Sequence, residues 1–177
     1  MFAGGCPGGG ESFFNAHHLK LAGPTLFIQP LTSSPAKNWP LENYLCLANI
    51  WRARGVQVIF GGGPAERSAL EPARAAGFPV AAGTPLLVSG GLTRLSNVVV
   101  GGVTGLIHLA VAMNIRCVML LGNPHGETGF PYRHHDWAVS PPPGQSLADL
   151  KTSLVVAAIE QAFAEGPAGT SPANAGD

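Results

Sequence analysis

The chain has 177 residues, 46% of them hydrophobic and only 11% charged, and its ten basic and ten acidic side chains cancel to a net charge of zero. That length suits one domain with a core of its own, and that hydrophobicity excludes a disordered chain. Without a basic excess, DNA and RNA are set aside as main ligands, because a phosphate backbone demands clustered cations.

Cys6, Cys46 and Cys117 are odd in number and lack metal-ligand spacing, which points to free thiols in a reducing compartment. Cys46 and Cys117 fall in apolar runs and are expected in the core. No apolar run reaches the roughly 18 residues that span a membrane. The start, "MFAGGCPGGG", lacks a basic region followed by an apolar one and does not read as a signal peptide.

Residues 1–24 are Gly-rich and then polar, and are expected to form a poorly ordered leader. The domain is expected over 25–166. It opens with "TLFIQP", 25–30, an apolar run closed by proline that predicts a buried strand. After a Ser/Thr/Pro loop, 41–54 has helical spacing, with Leu41, Tyr44, Leu45, Ala48 and Trp51 on one face and Gly55 as its stop. "VQVIFGGG", 56–63, predicts a second strand ending in glycines. Residues 65–77 predict a helix that Pro72 kinks or splits, and "PVAAG" a short strand. Residues 85–96 predict a helix weakened by Gly90 and Gly91. "NVVVGG" reads as a strand, 105–113 as a helix and "RCVMLLG" as a strand. A Pro/Gly/His loop covers 123–136, "WAVSPP" follows as a short strand, and 146–166 predicts a terminal helix. Residues 167–177 read as a disordered tail.

Strands alternating with helices imply βαβ units in a parallel sheet, and continuous apolar runs fit strands covered on both faces. The expected fold is α/β, a Rossmann-like parallel sheet with helices on both faces. Ligands of such sheets bind at the carboxyl ends of the strands, which makes the loops after 25–30, 56–61, 98–100 and 116–121 informative.

In "VVVGGVTGLIHLAVAM", 98–113, a strand meets a double glycine and a helix begins near Thr104 and Gly105. Unpaired N–H groups at a helix start suit phosphate, and His108 lies one turn in. The same residues also read as an N-cap, a tight turn and a packing histidine, with about even weight on the local pattern. Thr32, Ser33, Ser34 and Lys37 can hold a diphosphate or form a solvated turn. Their spacing is not that of a Walker A loop. Glu66, after "GGGP", can accept from ribose hydroxyls or act as a first-turn glutamate on the helix dipole. His125, Glu127, His134, His135 and Asp136 are too irregularly spaced for zinc. Their loop reads as substrate-facing, or as solvated surface.

Taken together, "PLTSSPAKNWPLENY", "VIFGGGPAE", "VVVGGVTGLIHLAVAMNIRCVMLLGNP" and "ETGFPY" resemble glycosyltransferase family 9, the heptosyltransferases of lipopolysaccharide core synthesis. The likeness covers about residues 25–164. It implies one half of a GT-B architecture, the C-terminal half that binds the nucleotide sugar. By resemblance, Thr32, Ser33 and Lys37 meet the donor diphosphate, and Glu66 the ribose of an ADP-sugar. Thr84 and Leu86 line the adenine pocket, and Thr104, Gly105 and His108 complete the phosphate and sugar site. The implied reaction is inverting, needs no metal or other cofactor, and moves a heptose or related sugar onto a lipopolysaccharide-type acceptor. The implied partners are an ADP-sugar, a lipid-linked saccharide and a separate N-terminal acceptor domain, in the cytoplasm and peripheral to the inner membrane.

Two departures stand out. Val103 occupies the place of the family's aspartate in Asp-[Ser/Thr]-Gly-x-x-His. No counterpart of the acceptor half, which supplies the general base, is found here, so no catalytic residue is identified. The alternative reading is a non-catalytic nucleotide-sugar-binding module or a truncated relic.

Overall fold

A computed structural model describes residues 8–122, 131 and 134–166. Its strands are β1 (Thr25–Gln29), β2 (Gln57–Gly62), β3 (Val80–Ala82), β4 (Val98–Gly101), β5 (Cys117–Leu120) and β6 (Ala138–Val139). They form one sheet in the order β3-β2-β1-β4-β5-β6, and every pair of neighbours is parallel. The chain winds outward from β1 to β3, then returns beside β1 with β4 and winds the other way. This is the expected Rossmann-like arrangement, with its reversal of strand order between β1 and β4.

Side chains alternate across the pleat, so each apolar strand feeds two cores. Leu26, Ile28, Val58, Phe60, Val98, Val100, Val118 and Leu120 face α2 (Leu41–Ala53) and α6 (Thr152–Glu165), which contribute Tyr44, Leu47, Trp51, Val155 and Ile159. On the opposite face, Phe27, Ile59, Val99, Cys117 and Met119 meet α1 (Gly8–Ala16), α4 (Leu86–Leu95) and α5 (Gly105–Ala112), through Phe14, Leu92, Ile107 and Ala110.

Several expectations need correction. The leader is not without packing, because Gly8–Ala16 is helical and Phe14 is completely buried. Gly90 and Gly91 do not undo α4, and Gly91 serves its contact with α1. A Cβ on Gly10 would stand 2.9 Å from the Gly91 carbonyl carbon, so the two helices meet backbone to backbone. Residues 65–77 are split as expected, but ahead of Pro72 rather than by it. A 3-10 turn over Pro64–Glu66 precedes a short α3 (Glu71–Ala75), and Pro72 sits in its first turn, where its missing N–H matters least. The expected 146–166 helix is likewise two pieces, a 3-10 turn over Leu147–Asp149 and then α6. At the break, the Leu150 carbonyl accepts the buried Trp39 indole N–H at 2.9 Å. Cys117 is buried as expected, whereas Cys46 is exposed on α2. Cys6, the 167–177 tail and most of the 123–136 loop lie outside the described residues.

Candidate functional site

At the carboxyl end of the sheet, where the strand order reverses, lies a cleft of about 390 Å³. Three loops line it. The loop after β1 supplies Leu31, Thr32 and Ser33, the loop after β2 supplies Gly63 and Glu66, and the loop after β4 supplies Val103, Thr104, Gly105, Leu106 and His108. Gln29, the last residue of β1, also lines it. Six of the nine residues that the resemblance assigns to the donor site therefore converge: Thr32, Ser33, Glu66, Thr104, Gly105 and His108.

Thr104 is the N-cap of α5, and its Oγ1 accepts the Ile107 N–H at 3.3 Å. Capping satisfies one first-turn donor and leaves others. The N–H groups of Gly105 and Leu106 have no acceptor among the described residues, and both residues line the cleft. The helix start thus offers two backbone donors and the positive end of a helix dipole to an anion. His108 follows on the same helix, exposed, with its backbone bound to the Thr104 carbonyl at 3.1 Å. The capping and anion readings of this segment are compatible, because they use different N–H groups.

The loop after β1 is held by its own hydrogen bonds. The Thr32 N–H donates to Asn38 Oδ1 at 2.8 Å, the Thr32 hydroxyl donates to the Ser34 carbonyl at 2.9 Å, and the Ser34 N–H donates back to that hydroxyl at 3.2 Å. Thr32 therefore shapes the loop before it can meet a ligand. Lys37 lies on a 3-10 turn, Pro35–Lys37, and its side chain is not among those lining the cleft. Its main chain passes close behind Gly102, whose missing Cβ would stand 2.7 Å from Thr32 Cγ2 and 3.6 Å from the Lys37 carbonyl oxygen.

Glu66 has a structural task and lines the cleft as well. Its Oε2 accepts the Gly63 N–H at 2.7 Å and so closes the loop after β2. A carboxylate has acceptor capacity beyond that one bond, and the residue is half-buried at the cleft wall.

Thr84 and Leu86 are not brought into the cleft. They follow β3, on the far side of β2, and the Thr84 hydroxyl bonds Ser89 Oγ at 3.0 Å. Leu86 is 73% exposed at the start of α4. Hydrogen bonds from Gly83 N–H to the Gly62 carbonyl and from Arg67 Nε to the Ala82 carbonyl tie this segment to the Glu66 loop.

Among the described residues, no group of three or more His, Cys, Asp and Glu side chains could hold a metal ion, and no helix is long and apolar enough to cross a membrane. His134 stacks on Trp137 with centroids 3.7 Å apart. Asp136 pairs with Arg116 at 3.4 Å. His125 and Glu127 lie outside the described residues. Gln29 and Asn38 went unread in the sequence. The available signal for Gln29 was an amide inside the otherwise apolar run "TLFIQP".

No curated protein matches the chain. Among solved structures, it is similar to a glycosyl transferase family 9 protein from Veillonella parvula DSM 2008, with a TM-score of 0.77 and 19% identity over 88% of this chain and 51% of that one. It is also similar to the E. coli ADP-heptose lipopolysaccharide heptosyltransferase II, with a TM-score of 0.76 and 24% identity over 92% and 53%. A third is the dodecameric iron-containing heptosyltransferase TibC in complex with ADP-D-beta-D-heptose, with a TM-score of 0.57 and 15% identity over 83% and 48%. The chain spans about half the length of each. The model of glycosyltransferase family 9 (heptosyltransferase) matches residues 10–156, and the chain belongs to that family.

Proposed function

We propose that this member of glycosyltransferase family 9 is the donor-binding half of a sugar transferase that takes an ADP-sugar, with a heptose or related sugar moving to a lipopolysaccharide-type acceptor. The observation that carries this reading is the convergence of three loops on one cleft at the strand-order reversal.

The diphosphate lies at the start of α5, on the Gly105 and Leu106 N–H groups. Glu66 takes a ribose hydroxyl with the acceptor capacity left over from its bond to Gly63. In the reaction, the bond between the anomeric carbon and the diphosphate oxygen breaks as an acceptor hydroxyl bonds to that carbon. Negative charge grows on the departing ADP. Preorganised N–H donors, joined in the family reading by the Lys37 ammonium from outside the cleft lining, stabilise that charge more than they stabilise the ground state, which is how they accelerate transfer. His108 adds hydrogen bonding at the same place. The chemistry needs no metal for this stabilisation. The base that takes the acceptor proton belongs to a separate acceptor domain.

A second reading rests on Val103. It lines the cleft and packs on the core behind it, and a valine cannot bond a sugar hydroxyl where the family has a carboxylate. A nucleotide-binding module without transfer activity fits that observation.

Calorimetry with ADP and ADP-heptose, alongside Lys37→Ala, tests the donor-site reading. Binding that weakens in the variant supports it. No binding at millimolar ligand, by a chain shown to be folded, overturns it.

A further inference from the structure

Gln29 is the polar end of an apolar strand, only 7% exposed, and it lines the cleft. Its side-chain amide makes no hydrogen bond among the described residues. The residue is nearly buried, yet its amide is not among the fully buried unpartnered groups, so the end of the side chain opens onto the cleft with its hydrogen-bonding capacity unused by the protein.

The neighbouring strands make room for this amide. Gln29 pairs in register with Gly101 of β4. On the other side, Ile28 pairs with Phe60 of β2, so Gly61 is next to Gln29. A Cβ on Gly61 would stand 2.8 Å from Gln29 Oε1 and 2.6 Å from the Phe27 ring, and a Cβ on Gly101 would collide with the Gln29 main-chain carbonyl. Across three adjacent strands, the row Gly61–Gln29–Gly101 therefore carries one side chain. It projects from the sheet between the Glu66 loop and the start of α5.

We propose that the Gln29 amide is a donor-binding residue that hydrogen-bonds a hydroxyl of the bound nucleotide sugar. This rests on the donor-site reading above and names a contact within it. An amide both donates and accepts, and so does a hydroxyl, so the two can pair in either sense. A phosphate only accepts, and the α5 start already provides for it. Gln29 thus supplies polar recognition that Val103, across the same cleft, cannot.

The account separates folding from binding. In Gln29→Met, similar in size and apolar, the fold is kept and the ligand-free melting temperature stays within about 3 °C of wild type. Affinity for ADP-heptose falls about tenfold, the worth of one neutral hydrogen bond left unmade. Loss for both ADP and ADP-heptose identifies a ribose hydroxyl, and loss for ADP-heptose alone a hydroxyl of the transferred sugar. Unchanged affinity for both ligands overturns the proposal while the donor site stands. Wild-type protein that binds neither ligand overturns the donor site and this contact with it. Should the variant not fold, the wild-type Gln29 side-chain NH₂ resonances give the answer: they shift on adding ADP-heptose if the contact exists, and their constancy at saturation overturns it.

Discussion

Glu66 reaches back three residues and accepts the Gly63 N–H on its Oε2 at 2.7 Å. One carboxylate therefore closes the loop after β2 and also faces the cleft. The two tasks separate by mutation. Glu66→Gln keeps an acceptor for Gly63, and its urea stability stays within about 0.5 kcal/mol of wild type. Glu66→Ala orphans that N–H and loses about 1 kcal/mol. Both weaken ADP, the alanine variant by about tenfold. Urea melts paired with calorimetry check this, and an alanine variant of undiminished stability would contradict the structural half.

The glycines at the α5 start differ in what surrounds them. A Cβ on Gly102 would stand 2.7 Å from Thr32 Cγ2, whereas nothing lies within 4 Å of one on Gly105. Gly102→Ala pushes on the Thr32 loop and destabilises the chain by about 1–3 kcal/mol. Gly105→Ala fits and, in a helix, stabilises the ligand-free chain by up to about 1 kcal/mol. It nonetheless weakens ADP, because the new methyl crowds an approaching phosphate. A Gly105→Ala variant that is more stable and binds ADP as tightly as wild type would remove the phosphate from the α5 start.

Tyr44 is completely buried, and its hydroxyl has no partner among the described residues. Burial holds the phenol well above its ordinary ionisation range. Its ring packs edge-on against Trp39 at 4.8 Å, a contact that phenylalanine retains. Tyr44→Phe is therefore expected to stabilise the chain by about 1 kcal/mol. A destabilised variant in urea melts would mean that the hydroxyl has a partner.

Cys117 makes the stability fall at alkaline pH. Burial pushes its thiol from 9.0 up to about 12, with a smaller push from Asp136 and an opposing pull from Arg116. Between those values the unfolded thiol has lost its proton and the folded one keeps it. The unfolded state then binds fewer protons, so stability declines as pH rises, by about 1.4 kcal/mol per unit from this group. Cys117→Ala should lower stability at neutral pH and flatten the decline between pH 9 and 12. Equal slopes in the two proteins would contradict this. Native-state alkylation at pH 8 should label exposed Cys46 and spare Cys117.

The sheet was legible because parallel strands buried on both faces are written as short apolar runs, as in "LFI" within β1 and "VVV" within β4. The cleft followed from it, since parallel strands put their carboxyl ends together. α1 was not legible. "GGGESFFNA" has little intrinsic helix propensity, and its helix depends on Phe14 entering the core and Gly10 meeting Gly91. Such tertiary support leaves no local pattern. The breaks at Glu66 and Leu150 were hidden for a related reason. Helical spacing continues through both, while a side-chain bond to Gly63 and the distant Trp39 indole decide the backbone. Thr84 and Leu86 came from family likeness alone, and the structure leaves them beyond the cleft wall. Gln29 was passed over because an amide at a strand end draws notice only once its flanking glycines are seen.

The most direct test of the donor site is an amide-resolved NMR titration of the chain with ADP. The account predicts saturable shifts concentrated at Ser33, Gly63, Glu66, Gly105, Leu106 and His108. Shifts centred instead on the opposite end of the sheet, around Arg94, Asn97 and Arg116, or none at millimolar ADP, would contradict it.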